Sequence, residues 1–215
     1  MNQAHIDIFS DPVCPWCLVG LARLDKVLAD LGDEAKVGIT HHPFLLDATT
    51  PQQGEDVVAM LKRKYGTSPD EMWDHLEQQA KLCGLDLDMR KQKMRQPSQK
   101  ALVLIMAARD KGSQHALARA ISHACYMDGL NIADHGVLEK IALDYGFNKA
   151  EISQLLADDE AVKTIEKNAR WAPQNGIKGV PYFIFNNKFA LSGAQPESVF
   201  AAALEKALSM ARVPD

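Results

Sequence analysis

Two cysteines stand close together in "SDPVCPWCLVGLARL", residues 10–24, where only Pro15 and Trp16 separate Cys14 from Cys17. Three chemistries use such a pair. It can supply half of a zinc site, sit as an inert buried contact, or make and break a disulfide. A structural zinc site takes four ligands, usually from two such pairs. This sequence has one, and its other cysteines, Cys83 and Cys125, stand alone. No metal is therefore expected. Free cysteine is often interior, so the inert pair stays open on spacing alone.

Position favours the redox alternative. Leu21, Leu24, Leu28 and Leu31 recur at helical spacing after the pair, and Gly32 follows as a stop. Cys14 then falls where a strand gives way to a helix, with Cys17 about one turn further on. The first amides of a helix lack partners within it and carry a partial positive charge. A thiolate in such a place is stabilised. Pro15 suits the first turn, because the N–H it lacks would be unpaired there. Cys17, nearer the axis, should be the less exposed. An attacking thiolate with a resolving thiol in reach is what exchange through a mixed disulfide requires. Trp16 reads as a substrate platform on an exposed loop, against the plainer reading of a cover on the helix start.

Other candidates have bland readings. Cys83 and Cys125 fall on apolar helical faces and read as core thiols; proximity to Cys14 would make either a third thiol. His41 and His42 follow the second predicted strand and read as ordinary strand-end residues. His115 and His123 lie eight apart, yet no carboxylate joins them at ligand spacing. The basic run "RKQKMRQ" at 90–96 reads as solvated surface.

The elements that must position the pair are legible at both ends of the chain. In "HIDIF", Ile6 and Ile8 alternate with polar residues at the period of a strand. "AKVGITHH" places Val37 and Ile39 on one side of a second strand, ended by Pro43. From 51 to 176 the pattern is helix after helix, each closed by a glycine: Gly66, Gly84, Gly112, Gly129, Gly146 and Gly176. Ser68-Pro69-Asp70-Glu71 reads as a capping box, with Met72, Leu76 and Cys83 on the face that follows. Asn148 and Glu151 mark another start, ahead of Ile152, Leu155 and Leu156. In "YFIFNNKFAL" two β-rich arms flank Asn186-Asn187, a hairpin signal. Pro196 and Glu197 open a last helix with Val199, Phe200, Ala203, Leu204 and Leu208 inward.

Neither β-rich end can bury a sheet alone, so the two must pair. The expected fold is α/β: a discontinuous thioredoxin-like domain, 1–50 and 177–215, interrupted by a helical insertion domain, 51–176. C-x-x-C beside a β-α-β pattern is the redox signature of that plan. The plan also gives Pro181 a meaning. In "IKGVPYFIF" it immediately precedes a strand, where its missing donor would be awkward in a central position. Thioredoxin-like folds place a cis proline there, facing the dithiol. Val180 would then offer its backbone to a bound peptide next to Cys14.

Composition bounds the rest. The chain has 215 residues, 47% hydrophobic and 24% charged, with a net charge of −4. That balance argues against nucleic acid, which calls for a basic face. The longest apolar run, "ALVLIMAA" at 101–108, falls far short of the roughly 20 residues of a membrane span. No secretory signal opens the sequence, so the expected compartment is the cytoplasm. Four cysteines make no disulfide framework, and a reducing compartment keeps most of them as thiols.

Four segments, "SDPVCPWC", "KYGTSPDEM", "DGLNIADHGVLEKIA" and "NGIKGVPYFIFNNKFALSGAQ", together resemble the DsbA-like thioredoxin-superfamily proteins of the FrnE-like branch. Relatives of that branch include 2-hydroxychromene-2-carboxylate isomerases and kappa-class glutathione transferases. The resemblance runs over nearly the whole chain. It implies a thiol-disulfide oxidoreductase, often cytoplasmic, acting on protein or small-molecule thiol and disulfide substrates. Cys14 would be the nucleophile, Cys17 the resolving thiol, Pro181 the cis proline, and Pro15, Trp16 and Val180 the substrate contacts. No resident cofactor is implied beyond a Cys14–Cys17 disulfide, with glutathione a candidate co-substrate and a homodimer one option among oligomeric states. Two departures matter. The isomerase relatives are expected to carry serine at the position of Cys14, and the second cysteine pair of some FrnE-like proteins is missing, since nothing after Cys125 is cysteine.

Overall fold

The β1 strand, Gln3–Ser10, lies in the middle of the sheet. A strand in that place is covered on both faces, and its residues are buried accordingly: Ala4, Ile6 and Ile8 on one side, Phe9 on the other. The computed structural model describes residues 3–32 and 36–210. After β1 come α1 (Pro15–Leu31) and β2 (Lys36–Pro43), which pairs parallel to β1 with Ile6 opposite Ile39. Near the end of the chain, β5 (Tyr182–Phe185) pairs antiparallel to β1, and β6 (Phe189–Ser192) pairs with β5. The order is β2-β1-β5-β6. The turn between β5 and β6 is made by Asn186 and Asn187, both at positive φ, 50° and 54°. That conformation is what two-residue hairpins with the right twist demand.

One face of this sheet is sealed by α1 and by α10 (Glu197–Met210). Leu21, Leu24 and Val27 from α1 join Phe200 and Leu204 from α10 over Ile6, Ile8, Phe183 and Phe185. Phe183 meets Phe200 edge-on at 4.8 Å. The opposite face, around Phe9, is covered by Phe44, Ala172 and Ile177.

Between β2 and β5 run β3 (Glu55–Asp56), α2 (Val57–Tyr65), α3 (Asp70–Leu82), a 3₁₀ turn (Met89–Lys91) and β4 (Met94–Arg95). They continue as α4 (Gln99–Ala107), α5 (Gln114–Tyr126), α6 (His135–Ala142), α7 (Lys149–Ala157), α8 (Asp159–Ala169) and α9 (Trp171–Gln174). The six glycines read as stops all have positive φ, and Gly66 closes α2 by donating its N–H to Lys62 O at 2.8 Å. Asn148 caps α7 by accepting the Glu151 N–H.

Three details differ from the sequence reading. The Ser68–Glu71 box does not form: Pro69 takes the cap position with no side-chain bond, and Ser68 turns to Asp70. The buried face of α3 holds Trp73, Leu76 and Ala80, while Met72 is exposed; starting the helix at Asp70 leaves Trp73 as the inward residue. The insertion also contains a small antiparallel ribbon, Glu55 opposite Arg95 and Asp56 opposite Met94. Two-residue ladders have no periodicity for a sequence to display.

The insertion has its own core, built from α4 through α8 around Leu104, Leu117, Ile121 and Leu138. A further cluster joins it to α1: Val19 packs with Val57, Trp73, Leu76 and Ala80. α1 is thus apolar on two faces, one for the sheet and one for the insertion. A helix buried on both sides must be so. None of the helices in the described residues is long and apolar enough to cross a membrane.

Candidate active site

Cys14 is the residue at which the chain turns into α1. Its backbone is still extended (φ −104°, ψ 111°) and its N–H donates to Asp11 O at 2.9 Å. Pro15 occupies the first helical position. Both Cys14 and Cys17 are free thiols, at 4% and 0% exposure. The order of exposure is the one expected, but Pro15 and Trp16 lie in the first turn of α1 rather than on an open loop and are half-buried, because the insertion closes over them. Trp16 leans on His75, ring centres 5.7 Å apart.

The Cys14 side chain makes no capping bond to the helix amides. Pro15 has no N–H to give, and the Cys17 N–H already reaches Cys14 O at 3.0 Å. The thiol points across the chain instead, toward Val180 O at 3.6 Å. The Val180–Pro181 bond is cis, and Pro181 lies just ahead of β5 with its carbonyl held by the Gly193 N–H at 2.8 Å. On the helix side, Gly20 lets α1 come this close: a Cβ there would stand 2.8 Å from Pro181 Cγ. Burial lifts the Cys17 thiol well above the ordinary thiol range, and the neighbouring Cys14 sulfur reinforces the effect. The Cys17 thiolate is thereby disfavoured.

The turn preceding Cys14 is clamped from two directions. Asp11 Oδ1 accepts from the Val13 N–H at 3.2 Å and Oδ2 from the Leu46 N–H at 2.9 Å. Its burial raises the carboxyl above its usual range despite those bonds. Tyr126 from α5 donates its hydroxyl to Val13 O at 2.6 Å, and burial pushes that phenol well above its ordinary value. Behind α1, the buried Arg23 guanidinium binds Ala194 O at 2.6 Å and Gln79 Oε1 at 2.7 Å. It ties the helix to the loop after β6 and to α3.

Cys14, Pro15, Trp16 and Val180 together line a cavity of about 390 Å³. The other walls come from the insertion: Met60, Trp73, Gln92, Arg95 and Tyr126 are among them. The basic run at 90–96 is thus not simply solvated surface. Arg90 is, pairing with Asp74 at 2.6 Å, but Gln92, Met94, Arg95 and Gln96 enter the cavity wall because β4 carries the chain across its edge. Cys125 reaches the same wall, though burial pushes its thiol up to about 12. Cys83 is a core thiol beside Ala80 O at 3.1 Å.

The histidines lie elsewhere. His41 and His42 are inside β2 rather than beyond it, and neither lines the cavity. His42 bonds Asp7 at 2.7 Å and stacks on Phe9. His115 meets His41 and Asp25, whereas His123 meets Asp128. No group of metal-ligating side chains occurs among the described residues.

The family model of the DSBA-like thioredoxin domain matches residues 5–205. The probable DsbA oxidoreductase SCO1869 of Streptomyces coelicolor is 32% identical in sequence, over 99% of this chain and 92% of that one, with a TM-score of 0.85. YwbO, an uncharacterized protein of Bacillus subtilis strain 168, is 24% identical across 95% of this chain and 96% of its own length. The cytosolic disulfide reductase DsbM of Pseudomonas aeruginosa, solved with GSH, shares the fold at 19% identity and a TM-score of 0.68, over 95% of this chain and 99% of that one.

Proposed function

The chain belongs to the DsbA-like thioredoxin family, and from that premise we propose that it is a thiol-disulfide oxidoreductase working through Cys14 and Cys17. In the reducing direction the Cys14 thiolate attacks one sulfur of a substrate disulfide. A Cys14–substrate bond forms and the other half leaves as a thiolate. Cys17 then gives up its proton and attacks Cys14, so that the Cys14–Cys17 disulfide forms and the second half departs. The substrate gains two electrons and the protein loses two. The reverse sequence oxidises a dithiol.

One observation carries this reading: the Cys14 sulfur lies 3.6 Å from Val180 O, both residues line one cavity of about 390 Å³, and Cys17 is fully buried beside them. The carbonyl beside Pro181 is the surface that would position an extended substrate. The cytoplasm fits a sequence whose four cysteines make no disulfide framework. Reduction of insulin by the reduced chain should vanish in Cys14→Ser, and Cys17→Ser should hold substrate as a mixed disulfide on non-reducing gels. Full activity in Cys14→Ser would end the proposal.

A second reading has one observation in its favour. The cavity is of small-molecule size and carries Lys64, Arg95 and Lys178, which suits glutathione as co-substrate of an isomerase or transferase of the 2-hydroxychromene-2-carboxylate isomerase or kappa type. Glutathione-dependent isomerisation or conjugation that survives Cys17→Ser would favour it.

A further inference from the structure

The wall of the Cys14 cavity has a charge pattern that disulfide exchange itself does not require. Lys64, Arg95 and Lys178 line it, and no acidic residue does among the described residues, although the chain as a whole is acidic at −4. None of the three enters a side-chain ion pair among the described residues, whereas Arg63, Arg90 and Arg119 all do.

Arg95 is the most telling of them. Among the described residues its Nε and Nη2 are shielded from solvent and have no acceptor, and its Nη1 faces only the Met60 sulfur at 3.9 Å. Glu55 stands opposite it in the β3–β4 ribbon but gives Oε2 to Arg63 at 2.9 Å and leaves Oε1 without a partner. Asp11 and Asp47 feel the Arg95 charge only at longer range; both Asp11 oxygens accept from backbone amides, and Asp47 Oδ1 accepts from the Thr49 N–H and hydroxyl. A shielded guanidinium without an acceptor is unfavourable. Its planar fork matches a carboxylate. Around it Met60, Met89 and Trp73 offer apolar surface for a carbon skeleton, and about 390 Å³ is the volume of a small-ligand site.

We infer that Arg95 is a specificity-determining residue that docks a carboxylate of the disulfide substrate, so that the cavity selects small anionic disulfides over neutral and cationic ones. The inference rests on the oxidoreductase reading above and assigns a substrate class to it. Cys14 attacks the disulfide of the docked molecule. One carboxylate-bearing half leaves as a thiolate, Cys17 releases the other, and the Cys14–Cys17 disulfide remains.

The test compares three disulfides of similar size: 3,3′-dithiodipropionate, 2-hydroxyethyl disulfide and cystamine. Second-order rates of oxidation of the reduced full-length chain are measured for each, at low salt and in 0.5 M sodium chloride. Taking the dithiodipropionate rate relative to the hydroxyethyl disulfide rate, and dividing variant by wild type, cancels the intrinsic reactivity of the reagents. Arg95→Gln should lower that relative rate about tenfold, the scale of one partly solvated charge-assisted contact, and Arg95→Lys should lower it less. The cystamine rate, normalised in the same way, should rise. High salt should reduce the anion preference of the wild type. A relative rate that is the same in wild type, Arg95→Gln and Arg95→Lys overturns the inference. Should Arg95→Gln fail to fold, a wild-type anion preference that ignores salt overturns it equally. Failure of the underlying reading looks different: none of the three disulfides then reacts in a Cys14-dependent way, whereas Cys14-dependent but charge-blind reaction sinks the role of Arg95 alone.

Discussion

Acidification should destabilise this protein through His41, and the unfolded chain's titration bounds the effect. His41 is 2% exposed on β2. Its Nδ1 lies 3.3 Å from Ser10 Oγ, its Nε2 lies 2.8 Å from His115 Nδ1, and His115 Nε2 lies 2.7 Å from Asp25 Oδ1. Asp25 also pairs with Arg119, and one proton pattern satisfies this chain of three bonds. Ser10 donates to His41, His41 to His115, and His115 to Asp25. Burial holds His41 well below the usual histidine range, and His115 and His42 add to the effect. The sign follows. A base whose folded-state pKa is depressed contributes stability fully above its unfolded value, near 6.5, and loses it as pH falls. For a folded state that takes up no proton at this site, the unfolded chain's titration removes at most about 2 kcal/mol between pH 7 and pH 5. Urea unfolding at both pH values, for wild type and His41→Gln, isolates this contribution. The glutamine keeps a donor toward His115 and cannot titrate. Wild type should lose up to about 2 kcal/mol more than the variant over that interval. Equal losses, or a wild type that gains on acidification relative to the variant, would refute the argument.

Three substitutions probe how the dithiol is held. Tyr126→Phe removes the donor to Val13 O, leaves that carbonyl unpaired, and should cost about 1–2 kcal/mol in urea unfolding together with a lower Cys14-dependent rate; an unchanged midpoint contradicts the clamp. Arg23→Met strips Ala194 O and Gln79 Oε1 of their partner and should destabilise by roughly 2–3 kcal/mol, with a loss under 1 kcal/mol counting against it. Gly20→Ala would gain about 1 kcal/mol of helix propensity, yet its methyl meets Pro181 Cγ at 2.8 Å, and overpacking of that kind costs about 1–3 kcal/mol. Net destabilisation with slower exchange is expected, and a more stable variant would show that the α1–Pro181 contact has slack.

The thioredoxin half was legible because its signals are local. Ile6 and Ile8 alternate, Leu21 and Leu24 keep helical spacing, and Asn186-Asn187 names its own turn. Helix ends in the insertion were legible for the same reason, through glycines at positive φ. Residues that act at a distance were not. Asp11 could have been singled out, since an Asp-Pro turn just before the cysteines is a place where a side chain binds its own backbone. Nothing near Tyr126 in sequence points to Val13, more than a hundred residues away. The capping box at Ser68 matched a local pattern and still did not form, because Pro69 took the cap position.

The cavity divides along the same line. The reactive edge, Cys14 facing Val180 O across 166 positions of sequence, comes from motifs whose residue types the chemistry dictates: a thiol at a helix start and a proline ahead of a strand. The opposite walls come from α2, α3, β4 and α5, where methionine, arginine and tryptophan carry no motif and acquire a role only from where the helices set them down. Exchange needs the first set in nearly fixed geometry, since the attacking sulfur, the resolving sulfur and the positioning carbonyl must all be within contact of one another. It asks of the second set only that some surface be there. On the proposed function, the insertion is free to choose the client while the sheet keeps the chemistry. Gln92, Met94, Arg95 and Gln96 reach that wall from a run whose composition reads as plain surface.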